Sequence, residues 1–142
     1  MSYVKILIHA VWSTKNRTPY LNGIVLPLLI NHIKEQALLK GMHIDRINGH
    51  VDHIHVLMWL RADMSIGKVI QLIKGESSYW MNQQKIIPVH FAWSREYFAG
   101  SVSPSGIAKV RAYIDQQANH HHKTSFLEEY KEFMDIFEEE QG

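Results

Sequence analysis

The stretch MHIDRINGHVDHIHVLMWL, residues 42–60, decides the fold. Met42, Ile44 and Ile47 alternate with polar residues and run into Asn48-Gly49, and HIHVLMWL follows. Two such runs joined by a short polar connection predict an antiparallel hairpin, with a turn or bulge around NGHVD. Strand side chains alternate between faces, so Ile54, Val56 and Met58 share one face and His53 and His55 the other.

Working outward, SYVKILIHAVWSTK predicts a first strand and IVLPLLINHIKEQALLK a helix. Pro27 falls in its first turn and Gly41 at its C-terminal cap. After the hairpin, Ser65 is a suitable N-cap for a second helix lined by Ile66, Val69, Ile70, Ile73 and Ser77. A loop around Pro88 leads into FAWSREYFAGSVS (91–103), read as a fourth strand. Ser105 can cap a helix over GIAKVRAYIDQQANHHH, and SFLEEYKEFMDIFEEE reads as a last, acidic helix with Phe126, Tyr130, Phe133 and Phe137 at helical spacing. The order β-α-β-β-α-β followed by helices predicts an α+β, ferredoxin-like split βαβ fold. It has a four-stranded antiparallel sheet with two helices on one face. We expect one domain over 1–142, with the sheet core in 1–104 and a helical part in 105–142.

Composition narrows the chemistry. The 142 residues suffice for one core, and 46% apolar with 20% charged residues is a globular balance. A formal net charge of +1 gives no global positive field, so any polyanion site must be a local patch or draw charge from a bound cation. With no cysteine, disulfides and thiolate metal sites are excluded, and a reducing cytoplasm is the expected location. MSYVKILIHAVW lacks a secretory pattern and no run is long enough to cross a bilayer, so no membrane association is expected.

His53 and His55, two imidazoles side by side on one pleated face, are placed to bind one cation. The same pair on a half-exposed strand can equally be structural. A catalytic metal usually has three protein ligands. Tyr113 and Gln117, i and i+4 on a helix, share a face one turn apart. Gln117 offers a carbonyl oxygen suited to Mg²⁺ or Mn²⁺, and Tyr113 a phenol able to act as a nucleophile. A core aromatic and a solvated amide are the alternative for that pair. Taken together, the four residues describe metal-assisted phosphoryl transfer.

The His-hydrophobe-His strand in VDHIHVLM and the Tyr-x-x-x-Gln helix in YIDQQANHH resemble the small HUH-type single-tyrosine transposases of bacterial insertion sequences. VKILIHAVWSTKNRTPYL, LIKGESSYWMN and HHKTSFLEEYKEF extend the resemblance over nearly the whole chain. The resemblance implies a dimer that cleaves and rejoins single-stranded DNA at hairpin-marked ends through a 5′-phosphotyrosine, with Tyr113 as nucleophile. His53, His55 and Gln117 would hold the divalent cation, and one chain's His pair can combine with the partner's tyrosine in trans. A related, domesticated palindrome-processing role stays open.

Lys15, Arg17 and Lys74 are the preferred phosphate contacts, with Arg111 and His121 as further candidates, each also readable as a solvated charge or a cap. Trp12, Tyr79 and Trp80 could stack bases, with a core role the default. A different class, a non-catalytic single-stranded nucleic-acid-binding module, would use sheet-face aromatics, where this third strand carries imidazoles. A 2H-type phosphoesterase would need two His-x-Thr/Ser motifs, which the chain lacks.

Overall fold

In the computed structural model, which describes residues 3–117 and 128, the hairpin forms where its patterning predicts. The elements run β1 (Leu7–Ser13), α1 (Val25–Leu39), β2 (His43–His50), β3 (His53–Trp59), α2 (Ile66–Gln83), β4 (Phe98–Ser101) and α3 (Ile107–Asp115). Single 3₁₀ turns lie at Lys15–Arg17 and Pro104–Gly106. The sheet order is β2-β3-β1-β4 with every neighbouring pair antiparallel, which is the ferredoxin-like arrangement expected. Apart from Glu128, the acidic terminal segment lies outside the described residues, as do His120–His122.

Alternation on β1 and β3 builds the main core. Ala10 and Trp12 on β1 join Ile54, Val56 and Met58 on β3 beneath the two helices. From α1 come Val25, Leu29, Ile33 and Ala37, a four-residue spacing that keeps one stripe inward; from α2 come Val69, Ile70, Ile73 and Met81. Each Val, Leu, Ile or Met side chain among these, fully removed from water, contributes about 1.5–3 kcal/mol. Trp12, a stacking candidate from its sequence context, is wholly buried here.

The helix ends obey local rules. Gly41 has φ 70°, and α1 closes with Met42 N–H donating to Ala37 O at 2.8 Å and Gly41 N–H to Leu38 O at 3.2 Å. This is the left-handed glycine termination, with the buried Met42 as its apolar partner. At the other end of α1, Asn22 Oδ1 accepts from the Ile24 and Val25 amides. Ser65 Oγ accepts from Lys68 N–H and caps α2 as expected.

The turn expected around NGHVD forms in its second half, and two other local readings change. Asn48-Gly49 itself stays within β2, paired with His55 and Ile54. The turn is Val51-Asp52, whose carbonyls accept from the Leu21 and Thr14 amides, both at 2.8 Å. The fourth strand is shorter than its pattern, because only Phe98–Ser101 pairs continuously and Trp93 makes an isolated bridge to Thr14. Lys74 Nζ donates to the carbonyls of Ser94 and Glu96 and holds the interruption, while Trp93 Nε1 donates to the buried Ser77 Oγ. Finally, Ser105 does not cap α3. It lies inside the preceding 3₁₀ turn, and Gly106 occupies the cap position without a side-chain bond.

On the second face of the sheet, α3 lays Ile107, Val110 and Ile114 over Leu7 and Leu57. Among the described residues no helix is long and apolar enough to cross a membrane.

Gly49 offers a direct test of the hairpin. A Cβ there would collide with the carbonyl oxygen of His53 and lie 2.9 Å from Ile54 Cγ2. Gly49→Ala is expected to destabilise the protein by about 1–3 kcal/mol, read as a lower denaturation midpoint at unchanged m-value.

Candidate active site

The second sheet face carries imidazoles. His53 and His55 project from β3 on the side opposite Ile54 and Val56, and the register sets them across from Ser13 and Val11 of β1. Both are almost fully buried, at 3% and 0% exposure. Each has its Nδ1 engaged by a neighbour. His53 Nδ1 lies 2.8 Å from Asp52 Oδ1, and His55 Nδ1 lies 2.9 Å from His9 Nε2, with the His9 and His55 rings stacked at 5.2 Å. Sequence reasoning missed His9 and Asp52. Asp52 was legible as the residue before the pair, whereas His9 needed the β1–β3 register, which no local pattern carries.

The α3 helix is fastened to β2 by a polar clamp. Its anchor is Asp45, at the bulge between Ile44 and Arg46, where the local twist re-aims one side chain. Arg111 Nε and Nη2 donate to the two Asp45 oxygens at 2.8 and 2.7 Å, a bidentate pair, and Trp59 Nε1 donates to Asp45 Oδ2 at 3.3 Å. The Arg111 guanidinium holds the Asp45 carboxyl below the ordinary carboxylate range. Asn48 Nδ2 donates to Ile114 O at 3.0 Å and to Asp115 O at 3.3 Å, receiving the end of the helix.

That end comes earlier than the sequence suggests. The helix stops at Asp115, and Gln116 takes φ −100°, ψ 9°. Tyr113 and Gln117 are therefore not on one unbroken helix, yet both arrive at the imidazoles. The Tyr113 ring meets that of His55 edge-on at 5.5 Å, and Gln117 Oε1 lies 3.4 Å from His53 Nε2. Gln117 is 1% exposed and its Nε2 has no hydrogen-bond partner among the described residues, an expensive way to bury an amide.

This donor set fits a divalent cation. Ligands at right angles around an ion at ~2.1–2.3 Å stand about 3 Å apart, close to the separation of His53 Nε2 and Gln117 Oε1. The amide oxygen suits Mg²⁺ or Mn²⁺, imidazole is a general ligand for divalent ions, and three such donors leave coordination positions for substrate. Among the described residues no three His, Asp or Glu side chains form a metal site by themselves, and Gln117 brings an amide oxygen to the imidazoles.

The basic candidates divide. Lys15 and Arg17 are exposed in the turn after β1, with Arg17 at φ 54°. Lys74 is turned to the Ser94 and Glu96 carbonyls, where burial lowers its pKa, and Arg111 is taken by Asp45. His121 lies outside the described residues. Tyr79 is exposed, whereas Trp80 stacks on His32 at 4.0 Å.

The clamp makes the seat of α3 acid-sensitive. A carboxylate with a depressed folded pKa contributes stability that is complete above its unfolded value of ~3.9 and is lost as pH falls through the lower folded value. Amide exchange across Arg111–Asp115 should accelerate relative to the sheet below about pH 4. Asp45→Asn should show the faster exchange already at neutral pH and flatten that acid limb.

Comparison with known proteins places this arrangement. The ISDra2 transposase TnpA of Deinococcus radiodurans is 24% identical over 115 residues, spanning 77% of this chain and 81% of that one. The fold is shared with a crystal structure from Deinococcus radiodurans R1 designated a transposase, at TM-score 0.66 and 24% identity over 83% of this chain and 95% of that chain. It is also shared with a REP-associated tyrosine transposase bound to a REP hairpin, at TM-score 0.64 and 14% identity over 85% and 72%. Residues 2–117, which hold every side chain of the site, match the family described as "Transposase IS200 like", and the chain belongs to that transposase family.

Proposed function

We propose that this transposase cleaves and rejoins single-stranded DNA with Tyr113 as nucleophile and with His53, His55 and Gln117 holding a Mg²⁺ or Mn²⁺ ion. One observation carries the reading: a phenol, two imidazoles and an otherwise costly buried amide converge on one sheet face in a chain of this family. Single-stranded ends marked by hairpins are the proposed substrate, supported by the REP hairpin held by the structural neighbour. The working unit is proposed to be a homodimer, as the resemblance of its motifs implies.

In the cleavage step the Tyr113 oxygen attacks phosphorus, the bond from phosphorus to the 3′-oxygen breaks, and that oxygen leaves as a free 3′-hydroxyl. A 5′-phosphotyrosine results, and reversal by a 3′-hydroxyl restores a phosphodiester with no nucleotide consumed. A bound cation would supply charge stabilisation to the phosphate oxygens. The half-buried Tyr113 is held over β3 by the Asp45–Arg111 pair and by Asn48 at the helix end. In this arrangement the tyrosine faces the His pair of its own chain, so the reading takes cleavage in cis. A non-catalytic module that stacks bases on the sheet is disfavoured, because α3 covers the face it would use.

The test is incubation of wild type and Tyr113→Phe with hairpin-bearing single-stranded ends of the cognate element plus Mn²⁺. Wild type should form a covalent adduct that chelation prevents, and the variant should form none, with cleavage lower by at least ~10³-fold. Equal cleavage by both proteins would overturn the reading, as would an adduct that persists in chelator.

A further inference from the structure

We propose that His9 is a positioning residue that fixes the tautomer of His55, so that His55 presents Nε2 as its metal-binding nitrogen. The inference rests on the cation-site reading above and extends it to a residue on a different strand.

A neutral imidazole carries one N–H and one lone pair, and a hydrogen bond at one nitrogen decides the role of the other. For a neutral His53 ring Asp52 sets the tautomer. Its Nδ1 lies 2.8 Å from Asp52 Oδ1, and a carboxylate oxygen accepts, so Nδ1 carries the proton and Nε2 keeps the lone pair that a cation needs. That Nε2 is the nitrogen facing Gln117 Oε1. At His55 Nδ1 stands His9 Nε2, at 2.9 Å. One proton lies between the two rings. If His55 Nδ1 donates, its Nε2 holds a lone pair and the two strand imidazoles become equivalent ligands. If His9 donates, His55 Nε2 carries hydrogen and cannot bind a cation.

Burial selects for a fixed arrangement. His9 is only 4% exposed on β1, flanked by Leu57 of β3 and Gly100 of β4, and its ring stacks on His55 within 26° of parallel. The sheet therefore fixes the distance and orientation of the two nitrogens, where a solvated side chain would sample several, and on the proposal His9 is the acceptor.

Mn²⁺ affinity without DNA, measured by electron paramagnetic resonance, tests this on wild type, His9→Gln and His9→Phe. Gln can place an acceptor oxygen near the position of Nε2, whereas Phe keeps a ring and removes the acceptor. We expect His9→Gln within about threefold of wild type and His9→Phe weaker by ~10–100-fold. Long-range ¹H–¹⁵N spectra of wild type should show the His55 proton on Nδ1, a readout that does not depend on a variant folding. Wild-type affinity in His9→Phe, equal losses in both variants, or a proton on His55 Nε2 would each overturn the proposal. Failure of wild type to bind Mn²⁺ would sink the cation-site reading instead, and the nitrogen spectra would still decide the His55 tautomer.

Discussion

The antiparallel register between β1 and β3, which sets Val11 across from His55 and Ser13 across from His53, is the constraint on which both halves of the molecule depend. Because side chains repeat every two residues, a one-residue slip would exchange the faces of β3. Ile54, Val56 and Met58 would leave the core, and two imidazoles would enter it against α1 and α2. Each unpaired polar group buried there costs about 1–3 kcal/mol on top of the lost apolar burial. The register is held from outside the strands as well, since the Val51-Asp52 turn is bonded to Leu21 and Thr14 of the β1–α1 connection. The same contacts that keep the core in place thus seat Asp52 beside His53.

Polar groups on the second face are tolerated because nearly all are paired. Asp52 and His9 take the inner nitrogens of the two imidazoles, and Asp45 joins Arg111 and Trp59. Among the described residues of this face Gln117 is the exception, with one buried amide nitrogen unsatisfied. A native chain rarely retains such a group without use for it, and here it stands beside the proposed cation ligands. Apolar contacts of Ile107, Val110 and Ile114 press α3 onto the sheet, while the clamp to β2 sets where along the strand it stops.

Much of this was legible in the sequence. Caps at Ser65 and Gly41, alternation in HIHVLMWL and four-residue spacing in α1 each report on neighbours within one turn or one strand, so they fixed element order and hence the sheet. What escaped depended on contacts distant in sequence. The turn expected around NGHVD is there, but Gly49 within it serves the close approach of β2 to His53 and Ile54, and the turn proper is at Val51-Asp52, pinned by Leu21 and Thr14. The interruption of β4 rests on Lys74 reaching across from α2, which spends a charge that looked available for phosphate. Arg111 is similar, its partner being Asp45 at a bulge sixty-six positions away. The Tyr-x-x-x-Gln spacing assumed an unbroken helix that the chain does not form, although both side chains still reach the imidazoles.

The break after Asp115 has a consequence for how the site is assembled. On a continuous helix, Tyr113 and Gln117 would approach the sheet as one rigid unit, and any movement of the tyrosine would carry the amide with it. With the helix closed at Asp115 and received by Asn48, Gln117 sits against His53 through its own burial, while Tyr113 is placed by the Arg111 clamp. The proposed nucleophile and third ligand are thus supported by different contacts. Charge points the same way. The side chains at the site are two imidazoles, an amide and a phenol, and the carboxylate bonded to them among the described residues, Asp52, stands a bond back behind His53. On the proposed reading a divalent ion in this set would keep most of its charge for phosphate, which is how a chain of net charge +1 can act on a polyanion without a broadly basic surface.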